Sequence, residues 1–193
     1  MSAEELGRMY DRFTDYAWRY EGRDVYTVDG EQERIQAFLR EGTLPRKTRD
    51  NNGWIRIVED ARTRGAQIGR VRVVGRPVTD YTRFEFAAYP DNIAAGEDIE
   101  VIDREQLDPA WSEVPDFWLF DDTTAFVQHF DDEGRFLGAE PVEDVAPFVQ
   151  IRQLLIDLAT TVPAGRYALD TVPRQRTTPV PAPPALTVPS LSR

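Results

Sequence analysis

Apolar residues recur every three or four positions in five stretches of the chain, which is the spacing of a helix face that packs on a core. The first stretch follows a capping box of Ser2 and Glu5, so we predict an N-terminal helix that ends at Gly22. Thr79 is expected to cap a later helix, which Pro90 ends or kinks, and residues 93–95 can add one more turn before Gly96. The four further helices are predicted at about residues 30–40, 54–64, 80–89 and 144–158.

Polar and apolar residues alternate in two other stretches, which predicts β-strands. Residues 68–74 place Arg70 and Arg72 on one face of a strand, and residues 98–102 form a second, short strand. Residues 116–140 contain aromatic runs separated by turns, which predicts an antiparallel meander. The order of these elements predicts a mixed α/β fold, in which a strand–helix–strand unit and the meander share one mixed sheet with helices on both faces.

The C-terminal residues lack this periodicity. Seven of the chain's 14 prolines lie from Pro163 onward, and such segments favour extended polyproline conformations over a packed core. We therefore predict one globular domain over residues 1–162 and a proline-rich, disordered tail over residues 163–193.

Composition and charge narrow the classes of function. The chain has no cysteine, which excludes disulfides, zinc–thiolate centres and cysteine nucleophiles. A net charge of −11 argues against direct binding of nucleic acid through a basic face. No apolar run approaches the length of a membrane span, and the acidic N-terminus is unlike a signal peptide, so we expect a cytoplasmic protein without a membrane contact. Lys47 is the only lysine among 23 basic residues, a bias that favours bidentate arginine ion pairs.

Two groups of charged and aromatic residues are candidates for a ligand site. Arg23, Asp24 and Tyr26 follow the first predicted helix. They form either a hydrogen-bonded turn or a clamp in which Arg23 grips a carboxylate or phosphate.

The second group lies on a predicted helix and the strand before it. Tyr81 and Glu85 are four residues apart on one helix face, whereas Arg83 points away from them. That face is otherwise apolar, so Glu85 is expected to be part-buried and to pair with Arg72. Such a pair is either a structural link between helix and sheet or the floor of a binding pocket.

Asp116 and His129 complete the candidates in the meander. Asp121 and Asp122 are typical of a hairpin turn, and a divalent-cation site that includes Asp116 is the alternative. His129, the only histidine, alternates with aromatic residues and is expected to pack in the core or at its rim. We expect no metal and no cofactor.

Six short segments in a fixed order carry a resemblance to a known family: residues 20–26, 70–74, 80–85, 95–98, 116–122 and 129–131. They resemble an actinobacterial family of uncharacterised proteins that is often encoded beside helix-turn-helix transcription regulators. The order of elements also resembles one half of the phospholipase D-like fold. The His-x-Lys signature of that superfamily is absent, because Lys47 lies in a predicted loop and His129 precedes Phe130 and Asp131. The resemblance therefore implies this fold without its phosphohistidine chemistry.

Three functions agree with these features. The favoured one is a non-catalytic regulatory or interaction protein that acts with a helix-turn-helix regulator and senses a small anionic ligand. The second is an enzyme for a small anionic substrate, with Arg72, Glu85 and His129 near one pocket. The third is a scaffold or adaptor that docks through its proline-rich tail.

Overall fold

Residues 2–157, 160–161 and 180–189 are described by a computed structural model of the chain. The α-helices are α1 (Ala3–Gly7), α2 (Gln32–Glu41), α3 (Gly53–Thr63), α4 (Asp80–Ala95) and α5 (Ala146–Ile156). The strands are β1 (Tyr16–Glu21), β2 (Gln67–Val74), β3 (Glu97–Asp103), β4 (Phe117–Phe120), β5 (Thr124–Phe130), β6 (Phe136–Pro141) and β7 (Thr160–Thr161). Short 3₁₀ helices occupy Arg8–Asp11, Arg104–Gln106 and Pro109–Glu113.

The strands form one mixed sheet in the order β6-β5-β4-β1-β2-β3-β7. β1, β2 and β3 are parallel, and α4 connects β2 to β3 as the strand–helix–strand unit. β4, β5 and β6 form an antiparallel meander that joins the sheet through β1, and β7 pairs antiparallel with β3. The predicted mixed α/β fold is therefore confirmed, while the finer likeness to half of a phospholipase D-like fold stays a prediction.

Helices cover both faces of the sheet, and each face has an apolar core. On one face, the ring of Phe148 from α5 lies edge-on to Phe117 of β4 with centroids 4.9 Å apart. On the other face, Val58 of α3 and Ile68 of β2 belong to a second buried cluster. Phe86 of α4 lies in a third cluster with residues of β2 and β3. The helices on both faces agree with the prediction.

The predicted N-terminal helix is wrong beyond Gly7, because the chain enters the sheet as β1. Trp18 and Tyr20 belong to the core under α5, whereas Ala17 belongs to the core under α3. A central strand is buried on both faces, so its apolar residues follow one another closely and match a helical spacing as well as an extended one. Pairing with β2 and β4 decides in favour of the strand.

Of the two effects predicted for Pro90, the end of the helix is wrong, because α4 continues through Pro90 to Ala95; the further turn before Gly96 is confirmed. Pro90 is exposed, whereas Tyr89 and Asn92 on either side of it are buried. Tertiary packing therefore holds the helix across the proline despite the lost backbone hydrogen bond. The Thr79 cap is confirmed, because its side chain accepts a hydrogen bond from the Thr82 backbone N–H.

Part of the proline-rich C-terminus lies against the domain. Val180 is 3% exposed, and its backbone N–H donates to the Gln106 carbonyl at 2.8 Å. The Trp111 indole N–H donates to the Pro181 carbonyl, also at 2.8 Å. Val180, Pro181 and Leu186 are thus in contact with the domain, and residues 163–179 and 190–193 of the predicted tail lie outside the described part of the chain.

Candidate functional site

A cavity of about 460 Å³ opens on the sheet face that α3 and α4 cover. Its volume falls within the usual range for small-molecule sites, about 300–1,000 Å³. Side chains of the sheet form its floor, and the helices with their connecting loops form its walls and rim. The floor holds Arg19, Glu21, Arg70, Trp118 and Gln128; the walls hold Tyr10, Tyr26, Trp54 and Tyr81; the rim holds Glu31, Arg34, Lys47 and Glu85.

Five charged side chains on and behind the floor form a buried ion network, called here the arginine network: Arg19, Glu21, Arg70, Arg72 and Glu97. The Glu21 carboxylate lies 2.8 Å from Arg19, 3.2 Å from Arg70 and 3.1 Å from Arg72. Arg70 also contacts Glu97 at 2.5 Å. Every second residue of a strand faces the same side, and the register sets Arg19 beside Arg70 and Glu21 beside Arg72. The alternation of the two strands thus builds the network.

Within these five side chains three guanidinium groups share two carboxylates, and the buried carboxylate of Asp116 also attracts Arg19. Burial alone would raise the pKa of Glu21, but the three arginines lower it to about 2. Burial opposes the charge on Arg72, yet its tyrosine and carboxylate neighbours hold its pKa well above the usual range. The Nε atoms of Arg19 and Arg72 are buried without a hydrogen-bond partner. Two donors of the network therefore lack an acceptor.

Aromatic rings line the walls, with Tyr10, Trp54 and Trp118 at one end and Tyr26 and Tyr81 at the other. The Tyr10 ring centroid lies 5.5 Å from that of Trp54 and 5.2 Å from that of Trp118. At the other end, the Arg72 guanidinium is 5.2 Å from the Tyr26 centroid. Burial raises the pKa of Tyr26, so its hydroxyl stays protonated at neutral pH. The walls therefore offer planar apolar surface to a ligand.

The rim consists of four half-buried charged residues, Glu31, Arg34, Lys47 and Glu85. Arg34 lies 4.0 Å from Glu31. Lys47 is held in place by its backbone N–H, which donates to Asp91 at 2.7 Å. Burial lowers the pKa of Lys47; the attraction of Glu85 opposes this shift, and repulsion from Arg34 adds to it.

Four of the sequence-predicted residues meet at this cavity. Tyr26, Tyr81 and Glu85 line it, and Arg72 is fully buried behind the two tyrosine rings. The predicted pairing of Arg72 with Glu85 is wrong, because Arg72 pairs with Glu21. The register of β1 places Glu21 directly beside Arg72 on the neighbouring strand, whereas Glu85 lies on a helix above the sheet.

Asp116 and Arg83 do not line the cavity. Asp116 is buried and accepts hydrogen bonds from the Tyr26 hydroxyl and from the Gly22 backbone N–H. It therefore holds one cavity wall from behind. Arg83 is exposed on the outer side of α4, as its spacing from Tyr81 predicts.

Arg23 and Asp24 form a hydrogen-bonded turn rather than part of the cavity. The Asp24 carboxylate accepts from the Gly75 backbone N–H at 2.8 Å and from Arg104 at 3.0 Å. Arg23 donates to the Asp131 carbonyl at 3.1 Å. These contacts agree with the turn interpretation of this group.

His129 lies on the opposite face of the sheet. Gln128 lines the cavity, and alternation along β5 turns the next side chain away from it. The His129 ring lies 3.8 Å from Glu140 of β6. The structure therefore separates His129 from Arg72 and Glu85.

Asp121 and Asp122 form the predicted hairpin turn, with φ values of 51° and 53°. The Asp121 carboxylate accepts from the backbone N–H groups of Thr14, Asp15 and Tyr16 at 2.8 to 2.9 Å. Burial opposes its charge, but these hydrogen bonds lower its pKa overall. The Asp121 carboxylate thus fixes the start of β1. Among the described residues, no group of three or more His, Asp or Glu side chains is placed to hold a metal ion.

Sequence reasoning missed Arg19, Glu21, Glu97 and Lys47 as members of the site. Arg19 and Glu21 alternate with Trp18 and Tyr20, which is a strand signal. Their common face with Arg70 and Arg72 follows only once that segment is assigned to the sheet. Lys47 lies in a polar loop, and no local pattern shows that this loop reaches the cavity.

Comparison with known proteins gives a family but no activity. In the part of the chain that the structure describes, no helix has the length and apolar character needed to cross a membrane. No curated protein matches the chain. One family matches residues 4–168, which include every element that forms the cavity. The chain therefore belongs to the family described as a domain of unknown function, DUF6879.

Proposed function

We propose that this protein is a non-catalytic regulatory protein, which binds a small ligand with an anionic group in the cavity and acts with a helix-turn-helix transcription regulator. The guanidinium group of Arg19, which lines the cavity with a buried donor left unsatisfied, carries the ligand-binding part of the proposal. A buried donor without a partner is costly. An anionic group beside Arg19, which lines the cavity with its Nε unsatisfied, removes that cost.

The surroundings of the network favour the same ligand class. The whole chain carries a net charge of −11, yet four of the seven charged residues that line the cavity are cations: Arg19, Arg34, Lys47 and Arg70. Electrostatic attraction is stronger in a protein cavity than in bulk water. The aromatic walls provide apolar contact for the uncharged part of a ligand.

Two features support a regulatory role. The acidity of the chain leaves DNA contacts to a partner. The sequence also resembles proteins often encoded beside helix-turn-helix regulators. A ligand site on the partner of such a regulator is a means of coupling ligand binding to operator affinity.

The two alternatives receive less support from the geometry. The enzyme hypothesis needs Arg72, Glu85 and His129 at one pocket, but His129 lies across the sheet from the other two. The adaptor hypothesis needs a free tail, whereas Val180 and Pro181 contact the protein's own domain.

The test is an operator titration of the regulator encoded nearby, with and without this protein, at one stated salt concentration. We expect a complex at micromolar protein and a shift of operator affinity by about 5- to 150-fold. Arg19→Met should reduce the response to ligand, while the exposed control Arg83→Met should not. Identical operator curves and no detectable complex would overturn the regulatory proposal.

A further inference from the structure

Two opposite charges on the rim of the cavity have no ion-pair partner. Neither the Lys47 ammonium nor the Glu85 carboxylate lies within 4.0 Å of an opposite charge on a described residue. The two side chains also make no hydrogen bond to any described residue. Both side chains line the same cavity, and the Glu85 carboxylate opposes the burial-driven fall in the pKa of Lys47. One cavity therefore presents a cation and an anion without a direct ion-pair partner.

The other charged residues that line the cavity have partners. Glu21 contacts Arg19 and Arg70, and Arg34 lies 4.0 Å from Glu31. A simple anion would pair with Lys47 and leave Glu85 facing it. A ligand that carries both a carboxylate and an ammonium group complements both residues.

The buried polar atoms of the cavity that lack a hydrogen-bond partner include both donors and acceptors. Gln128 Oε1 and Asn92 Oδ1 are buried acceptors without a partner, and Arg19 Nε is a buried donor without one. All three residues line the cavity. A lining with both donors and acceptors matches a ligand that carries both kinds of group better than a simple anion, which offers only acceptors.

We infer that the ligand is a zwitterion, an α-amino acid or a close relative with a planar apolar side chain. Its carboxylate binds Lys47, its ammonium group binds Glu85, and its side chain lies against the aromatic walls. This inference rests on the proposed function and names the ligand class of the same cavity.

The test uses three probes that share a phenylethyl group: L-phenylalanine, which has both charges, 3-phenylpropionate, which has only the carboxylate, and 2-phenylethylamine, which has only the ammonium group. Binding to the full chain is measured by isothermal titration calorimetry at neutral pH, up to about 10 mM probe. We expect L-phenylalanine to bind at least about 10-fold more tightly than either single-charge probe, because each charged hydrogen bond contributes roughly that factor or more.

Two charge-removing variants separate the contributions. Lys47→Met should weaken L-phenylalanine and 3-phenylpropionate by about 10- to 100-fold and leave 2-phenylethylamine unchanged. Glu85→Gln should weaken L-phenylalanine and 2-phenylethylamine by a similar factor and leave 3-phenylpropionate unchanged. Arg46→Met and Glu33→Gln are matched controls, because both residues are exposed and neither lines the cavity.

The outcomes distinguish this inference from the proposed function. If 3-phenylpropionate binds as tightly as L-phenylalanine and Glu85→Gln has no effect, the ligand is a simple anion; the zwitterion inference then fails and the proposed function stands. If none of the probes binds, the inference fails together with the ligand-binding part of the proposed function.

Discussion

Glu21 is the residue whose loss should destabilise this fold most clearly. Its carboxylate is 2% exposed and lies within 3.2 Å of three guanidinium groups. Glu21→Gln keeps the shape and one hydrogen-bond acceptor but removes the charge, so three arginines are left with Glu97 alone. Breaking a buried ion pair in this way costs about 3–5 kcal/mol. For a domain of this size, that loss lowers Tm by roughly 6–20 °C.

Thermal melts and urea titrations at neutral pH measure this loss, and Glu4→Gln is the matched control. Glu4 pairs with Arg8 at 3.2 Å, but the two side chains are 85% and 54% exposed, so its removal should cost at most about 1 kcal/mol. The double variant Glu21→Gln/Arg72→Met should recover part of the loss, because it removes one of the stranded cations. A shift for Glu21→Gln no larger than that for Glu4→Gln would refute the reasoning.

Three further predictions concern other parts of the fold. The pKa of Glu21 is lowered to about 2, so ionised Glu21 contributes roughly 3 kcal/mol to the free energy of unfolding above about pH 4.5. This contribution is lost as pH falls toward 2, and the stability difference between wild type and Glu21→Gln in urea titrations should shrink over the same range. Asp121→Gly should cost about 1–2 kcal/mol more than Asp122→Gly in the same assay, because both positions have positive φ but only Asp121 holds three backbone N–H groups. Val180→Ala should cost about 2 kcal/mol, whereas Val188→Ala, at a position 42% exposed, should leave Tm unchanged; equal melting temperatures would show that the C-terminal contact adds no stability.

The sequence predicts those parts of the fold in which local pattern and tertiary environment agree. The alternation in β2, the Thr79 cap of α4 and the Asp121-Asp122 turn each follow from a few adjacent residues. β1 does not, because the alternation of Arg19 and Glu21 with Trp18 and Tyr20 is short and overlaps a helical spacing of apolar residues that begins at Leu6. The helix across Pro90 depends on packing that the local sequence does not contain.

The candidate site was predictable only in part, because some of its residues come together through strand pairing and loop placement rather than through a local pattern. Tyr81 and Glu85 were recognisable from their shared helix face. The partner of Arg72 was not, because it depends on which strand lies beside β2 and in which register. Lys47 reaches the cavity from a loop between α2 and α3, and loop placement depends on contacts remote in sequence, such as that with Asp91.

Fluorine NMR of protein labelled with 5-fluorotryptophan tests the central claim, ligand binding in the cavity, most directly. The chain has four tryptophans: Trp54 and Trp118 line the cavity, and Trp18 and Trp111 lie in the core on the opposite face of the sheet. Single Trp→Phe variants assign the four signals. On titration with L-phenylalanine and, separately, 3-phenylpropionate, we predict saturable shifts of the Trp54 and Trp118 signals and unchanged Trp18 and Trp111 signals. No saturable shift with either probe, or shifts confined to Trp18 and Trp111, would contradict the account.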